Sequence, residues 1–247
     1  MLIFDFDGVL LDSVREIAVT AHNMVTGTSV TRLDRLPQNA LACFLRNRFH
    51  VQPIGDAPVL MQWCLANGDA EPDKLLDPKA YEDIIKKADD PVAARTSRFF
   101  ETRKRFQTED PDAWIALNAP VEPLWSFMIQ NLPENLVVLT NKNREATLSL
   151  SHHFGLMISD ANVYSGDRGI TKIENMNRIM RRFQRARYTF VDDSVKNLRE
   201  LDRHFNRQDK IIALIFAEWG YTGPDDADLA KNFGYQAPTI EEFIAQL

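Results

Sequence analysis

Two aspartates one residue apart, Asp5 and Asp7, stand at the end of an apolar run in "MLIFDFDGVLLDS", and Gly8 follows them. Burying a carboxylate is costly unless it is paired or binds a metal. In an extended strand, residues two apart share a face, so both acids could look into one cavity before Gly8 lets the chain turn. Two more acids, Asp192 and Asp193, close a second apolar run, "RYTFVDD". Thr140 and Asn141 close "NLVVLTN", and Lys172 follows "ANVYSGD" within a few residues, opening a helix. Up to four carboxylates in one place are unstable without a cation, and oxygen ligands of this kind suit Mg²⁺. Lys172 adds a fixed positive charge, and Thr140 and Asn141 add neutral hydrogen-bond donors. Acids, a metal, a lysine and a hydroxyl make a site for a phosphoryl group, screened so that a dianion can approach. An aspartate can then attack phosphorus and form an aspartyl-phosphate.

The elements that must position these residues have two textures. "MLIFDFD" reads as a strand. From Ser13 to about Leu117 only helical patterns follow. Ser13 with Glu16 three residues later forms a capping box, and Ile17, Ala21, Met24 and Val25 have helical spacing. Leu41, Phe44, Leu45 and Phe49 repeat that spacing. Asp56 is a candidate cap for a helix that stops at Gly68, and Asp77 before Pro78 is a good helix start. A basic helix runs from about Val92 to Gln107. After Pro120, "NLVVLTN", "ANVYSGD", "RYTFVDD" and "KIIALIF" read as short strands. Helical segments separate them near Arg144–His153, Lys172–Gln184, Ser194–Phe205 and Pro224–Phe233. Alternating strand and helix implies an α/β fold, a Rossmann-like parallel sheet with helices on both faces. Such folds place their sites at the carboxyl ends of the strands. The expected organisation is an α/β core from 1–12 and 119–247, interrupted by an all-helical domain over 13–118.

Bulk properties narrow the class. With 247 residues the chain suffices for one large domain or a core with an insertion. A hydrophobic share of 45% and a charged share of 26% are those of a globular protein. A net charge of −6 argues against a nucleic-acid or anionic-membrane partner. No apolar run approaches the roughly 20 residues of a membrane helix, and no signal-peptide pattern stands at the N-terminus. The two cysteines, Cys43 and Cys64, lack metal-type spacing, and a reduced, cytoplasmic protein is the simplest expectation.

"DFDGVLLDS", "VVLTN", "TKIENMNRI" and "FVDDS" resemble, in this order, the four motifs of the haloacid dehalogenase-like hydrolase superfamily. The order discriminates, because receiver domains of response regulators place their acidic pair first and their lysine last. The resemblance implies that Asp5 is the nucleophile and that Asp7 protonates the leaving oxygen and then activates water. It implies that Thr140 and Lys172 hold phosphoryl oxygens. Asp5, the backbone carbonyl of Asp7 and Asp193 would ligate Mg²⁺, with Asp192 in or next to that shell. Gly8, Asn141 and Lys142 would belong to the phosphate- and substrate-binding surface. Relatives that cleave carbon–halogen bonds lack the second aspartate, so Asp7 points to phosphate chemistry. The helical domain looks like the family's cap, with hinges near Leu11–Ser13 and Ala116–Pro120. Arg46, Arg48, Arg95 and Arg98 are candidates for a cap residue that grips substrate. "TNK" at Thr140–Lys142, "WGY" at Trp219–Tyr221 and the tail "TIEEFIAQL" resemble phosphoglycolate phosphatases. Against that branch, Asn143 stands for a proline, Asp192 for a glycine and Asn197 for an aspartate. The implied activity is hydrolysis of a small phosphorylated metabolite. A phosphomutase and a non-catalytic binding relative are the alternatives.

Blander readings exist for each motif. "DFDG" alone fits a hairpin turn, and Asp192 and Asp193 fit a cap for the helix that follows. A calcium loop starting at Asp5 fails because Leu10 occupies its required glycine position. The basic runs "RTSRFFETRKRF" and "RRFQRARY" read as solvated helix faces.

Overall fold

The computed structural model describes residues 1–71, 73–131 and 136–247. The chain divides into two compact units, Met1–Asp12 with Ala119–Leu247, and Ser13–Asn118. The first unit begins with strands β1 (Leu2–Phe4) and β2 (Leu11–Asp12). The second unit then runs through helices α1 (Val14–Thr26), α2 (Gln38–Asn47) and α3 (Ala57–Asn67). It continues with α4 (Pro78–Lys86), α5 (Val92–Glu109) and α6 (Pro111–Ala116). The chain returns to the first unit at β3 (Ala119–Pro120), which pairs antiparallel with β2. Then come α7 (Leu124–Gln130), β4 (Val137–Thr140), α8 (Arg144–His153) and β5 (Val163–Ser165). The unit closes with α9 (Lys172–Phe183), β6 (Tyr188–Asp192), α10 (Val195–Phe205) and β7 (Ile212–Phe216). Two short helices end the chain, α11 (Asp226–Asn232) and α12 (Ile240–Ile244).

Among the described residues, five strands form one parallel sheet in the order β5-β4-β1-β6-β7. Its strands are short and almost wholly apolar, as expected where both faces are covered. On one face Ile3, Leu139 and Phe190 pack with Met176 and Ile179 of α9 and Leu198 and Leu201 of α10. On the other, Phe4 meets Phe243 of α12 edge-on at 5.8 Å, and Phe6 meets Trp125 of α7 at 6.4 Å. The α/β parallel architecture read from the sequence is the one observed. No helix among the described residues is long and apolar enough to cross a membrane.

Several local expectations need correction. The strand reading of "MLIFDFD" overran: β1 stops at Phe4, and Asp5 extends the ladder only through its N–H to the Val191 carbonyl. Both neighbours of β1 are parallel, so "DFDG" is not a hairpin turn. The β2–β3 pair was not foreseen, since a two-residue strand has no periodicity to read. The first residue of the expected strand "NLVVLTN", residue 135, lies outside the described residues. Leu45 is exposed rather than core, and Phe49 falls past the end of α2.

Two of the three expected caps in the second unit fail. Ser13 and Asp56 make no side-chain cap bond to their helices. Glu16 is fully buried and takes a two-pronged ion pair from Arg103 at 2.9 and 2.7 Å, plus the Thr20 hydroxyl at 2.7 Å. Asp56 is likewise buried and accepts from Arg95 at 2.5 Å. A buried carboxylate gains more from a charged guanidinium, two-pronged at Glu16 and single at Asp56, than from one backbone N–H. Asp77, which is exposed, does cap α4 through the Ala80 N–H at 2.8 Å.

Glu16→Ala leaves the Arg103 guanidinium buried without its fork partner. It is expected to destabilise the protein by about 3–5 kcal/mol, measured by chemical denaturation. Glu16→Leu/Arg103→Met should recover most of that loss; a double variant as unstable as the single one would contradict the ion-pair account.

Candidate active site

The carboxyl edge of the sheet collects the polar residues that the strands deliver. The strand order of the sheet puts β1 in the middle, between β4 and β6. Asp5 therefore emerges between Thr140, the last residue of β4, and Asp192, the last residue of β6. Asp5, Asp192 and Asp193 are all buried, and each offers a carboxylate oxygen within 4.8 Å of the others. Lys172, at the start of α9, reaches Asp5 at 2.8 Å and Asp192 at 2.5 Å. Thr171 caps α9 with a full capping box, which fixes the backbone from which Lys172 projects.

Apart from the Lys172 that Asp5 and Asp192 share, each acid has its own donors. The Phe6 N–H donates to Asp5 at 2.7 Å. Asp192 is fully enclosed and receives the Ser194 N–H at 2.8 Å and the Asn197 amide at 3.2 and 3.1 Å. Asp193 receives the Tyr221 N–H at 2.7 Å. Asp7 lies apart from the trio and takes an ion pair from Lys142 at 3.0 Å. The Thr140 hydroxyl accepts the Lys142 N–H at 3.1 Å, which ties the "TNK" turn together. Asn141 is exposed.

Two glycines are required by proximity. Gly8 has φ +83°, and a Cβ there would stand 2.1 Å from an Asp193 oxygen. A Cβ on Gly220 would stand 2.3 Å from the Asp193 Cβ. Both sites leave room for the Asp193 carboxylate. Gly220, Tyr221 and Asn197 were not read from the sequence as site residues with these jobs. "WGY" carried a usable signal for the first two, and the acid-for-glycine and amide-for-acid exchanges at Asp192 and Asn197 carried one for the third. Trp219 fastens the same turn by donating from its indole to the Val9 carbonyl at 3.1 Å.

The four arginines considered as substrate grips have partners in their own unit. Arg46 pairs with Asp73, Arg95 with Asp56 and Arg98 with Asp90, and Arg48 donates to the Val51 carbonyl.

Burial dominates the electrostatics. It pushes the Asp5 carboxyl up to about 6 from 3.8, with Lys172 opposing and Asp192 adding to the rise. Burial also works against the charge of Lys172, but Asp192 and Asp5 outweigh it and hold the ammonium above the usual lysine value. The donor set is all oxygen, hard and anionic, and carries more negative charge than Lys172 offsets. That fits a hard divalent cation such as Mg²⁺.

No family model matches this chain, and no curated protein matches it. Solved structures do match along the whole length. A haloacid dehalogenase-like family hydrolase of Streptococcus pneumoniae is 14% identical, with a TM-score of 0.54 over 99% of this chain and 96% of that one. A protein of Clostridium acetobutylicum described as a "predicted phosphatase" is 13% identical, with a TM-score of 0.59 over 99% and 96%. Protein Tyrosine Kinase A of Mycobacterium tuberculosis is 17% identical, with a TM-score of 0.54 over 99% and 96%.

A carboxyl whose folded value is raised favours the fold in its neutral form. Its contribution is present below about pH 3.8 and is lost as pH rises through about 6. Asp5→Asn keeps the neutral shape. In chelator near neutral pH it is expected to raise the melting temperature by a few degrees, on the order of 1 kcal/mol or more. Below about pH 4 the difference should vanish. A melting temperature that falls at neutral pH would contradict the burial argument. Shared topology along the full chain gives this protein the fold of the haloacid dehalogenase-like hydrolases.

Proposed function

We propose that this chain is a Mg²⁺-dependent phosphomonoester hydrolase acting on a small phosphorylated metabolite. The observation that carries the reading is the buried trio Asp5, Asp192 and Asp193, with Lys172 bridging the first two, at the carboxyl edge of a parallel sheet. The fold shared with hydrolases and phosphatases supports it.

In this reading Asp5 is the nucleophile. Its carboxylate oxygen bonds to phosphorus as the ester P–O bond breaks, and Asp7 gives its proton to the departing oxygen. Asp7 then takes a proton from water, the water oxygen bonds to phosphorus, and the Asp5–phosphorus link breaks to release inorganic phosphate. Lys142 orients the Asp7 carboxylate through their ion pair. Lys172 and Thr140 hold the phosphoryl oxygens. Asp5, Asp193 and the Asp7 carbonyl would hold the metal, which when bound neutralises the carboxylates and polarises the phosphoryl group. Asp192 acts beside that shell: its oxygens are taken by Lys172, Ser194 and Asn197, so its job is to anchor Lys172. The helical unit 13–118 serves as the cap that selects the leaving group, with the short β2–β3 pair as its connection. The resemblance to phosphoglycolate phosphatases at Thr140–Lys142 and Trp219–Tyr221 favours a small anionic substrate.

Asp5→Asn is expected to lower hydrolysis of an aryl phosphate by at least about a thousandfold, measured as phosphate release by folded protein. Wild-type activity in that variant would refute the nucleophile. EDTA should stop turnover and added Mg²⁺ restore it. Free phosphate from sugar phosphates without isomerisation would exclude a mutase.

Gly220→Ala, which crowds Asp193, should raise the Mg²⁺ concentration for half-maximal rate about tenfold. An unchanged Mg²⁺ dependence would argue that Asp193 is not a ligand.

A further inference from the structure

The outer edge of the sheet carries a second polar site with none of the residues above. Beside β5, the outermost strand, lies a cleft of about 560 Å³. Arg144, Arg168 and Arg178 line it against a single acid, Asp167. That balance is positive in a chain of net charge −6. The three arginines are not equivalent. Arg144 is spent: its guanidinium binds Asp160 at 2.7 Å and the Val163 carbonyl at 2.8 Å. Asp167 is also engaged, accepting the Ser165 hydroxyl at 2.7 Å and the Arg144 N–H at 2.9 Å. Arg168 and Arg178 make no hydrogen bond or ion pair among the described residues. The nearest acid along α9, Glu174, hydrogen-bonds Thr171 in the capping box and feels the Arg178 charge without forming an ion pair with it.

Arg168 is held in an unusual backbone state. Its φ is 60° and its ψ 24°, in the left-handed region, immediately before Gly169 at φ 76°. Glycine would occupy that position at lower cost, and asparagine would be better suited than arginine. A strained residue with a long cationic side chain at the mouth of a positive cleft is a reason to look for an anion.

We propose that this cleft binds a small organic phosphate, with Arg168 and Arg178 on the phosphate and the organic body against Tyr164 and Ile170. Two guanidinium forks with no hydrogen-bond partner in the protein match the several acceptor oxygens of a phosphate better than the two of a carboxylate. The volume is that of a small-molecule site and exceeds what a bare ion fills. Tyr164 is half-buried, and Arg182 reaches its hydroxyl at 3.4 Å, so the ring forms a settled wall. Lys172 and Asn175 stand one turn apart on α9, the first at the candidate active site and the second lining this cleft. The two sites share a helix and no side chain. The proposal is independent of the phosphatase reading.

The test is calorimetric titration of the full chain, in EDTA to prevent turnover, with ADP, ribose 5-phosphate, phenyl phosphate and inorganic phosphate. At least one organic phosphate should bind more tightly than inorganic phosphate. Arg168→Gly and Arg178→Gln should each weaken it about tenfold. Aryl phosphate hydrolysis with Mg²⁺ should be unchanged in both variants. The melting temperature of Arg168→Gly should not fall, because glycine accepts the backbone state, so lost binding is not lost folding. Binding that both variants retain at full strength would place the ligand elsewhere and overturn the proposal. No organic phosphate binding more tightly than inorganic phosphate would overturn it as well.

Discussion

Three carboxylates buried within one ligand radius of each other are the constraint around which the first unit is built. Lys172 bridges Asp5 and Asp192 beside Asp193, which leaves the cluster negative, and burial, with Asp192 adding to it, lifts the Asp5 carboxyl to about 6. Nothing apolar can surround such a cluster. The fold answers with donors from the backbone that carries the acids: the N–H groups of Phe6, Ser194 and Tyr221, and the amide of Asn197. The two glycines that crowd Asp193 belong to the same answer, because a methyl group at either would enter the space of its carboxylate.

Strand order turns this local chemistry into architecture. With β1 between β4 and β6, the ends of three strands far apart in sequence converge. The apolar parts of those strands supply the rigidity: Ile3, Leu139 and Phe190 on one face, Phe4 against Phe243 on the other. The last helix thus stabilises the central strand that bears Asp5. The helical unit obeys a separate economy. Its buried carboxylates, Glu16 and Asp56, are each matched to a guanidinium from α5, so one basic-looking helix is in part an internal counterion.

The parallel sheet, most helix positions and the residues gathered at its edge were legible in the sequence. Apolar runs ending in Asp, Thr or Asp-Asp, separated by amphipathic helices, admit few other arrangements. Where reading failed, a distant partner had intervened. Ser13 and Glu16 spell a capping box, yet Glu16 answers to Arg103, 87 residues away. Leu45 has helical spacing with Leu41 and Phe44 but meets solvent. The β2–β3 pair is two residues long on each side and leaves no pattern to detect.

By itself, the sequence determined the class of fold and the chemistry available at its edge, because strand and helix periodicity and the types of the terminal residues are local properties. It could not say which charge answers which. That Lys172 bridges Asp5 and Asp192, that Lys142 serves Asp7, and that the Tyr221 N–H donates to Asp193 were decided by the tertiary structure. So was the separation of Arg144, spent on Asp160, from Arg168 and Arg178, which form no hydrogen bond or ion pair among the described residues. The physical reason is the same in each case. A charge is stabilised by whatever lies within about 4 Å of it, and that neighbourhood is set by packing between segments remote along the chain.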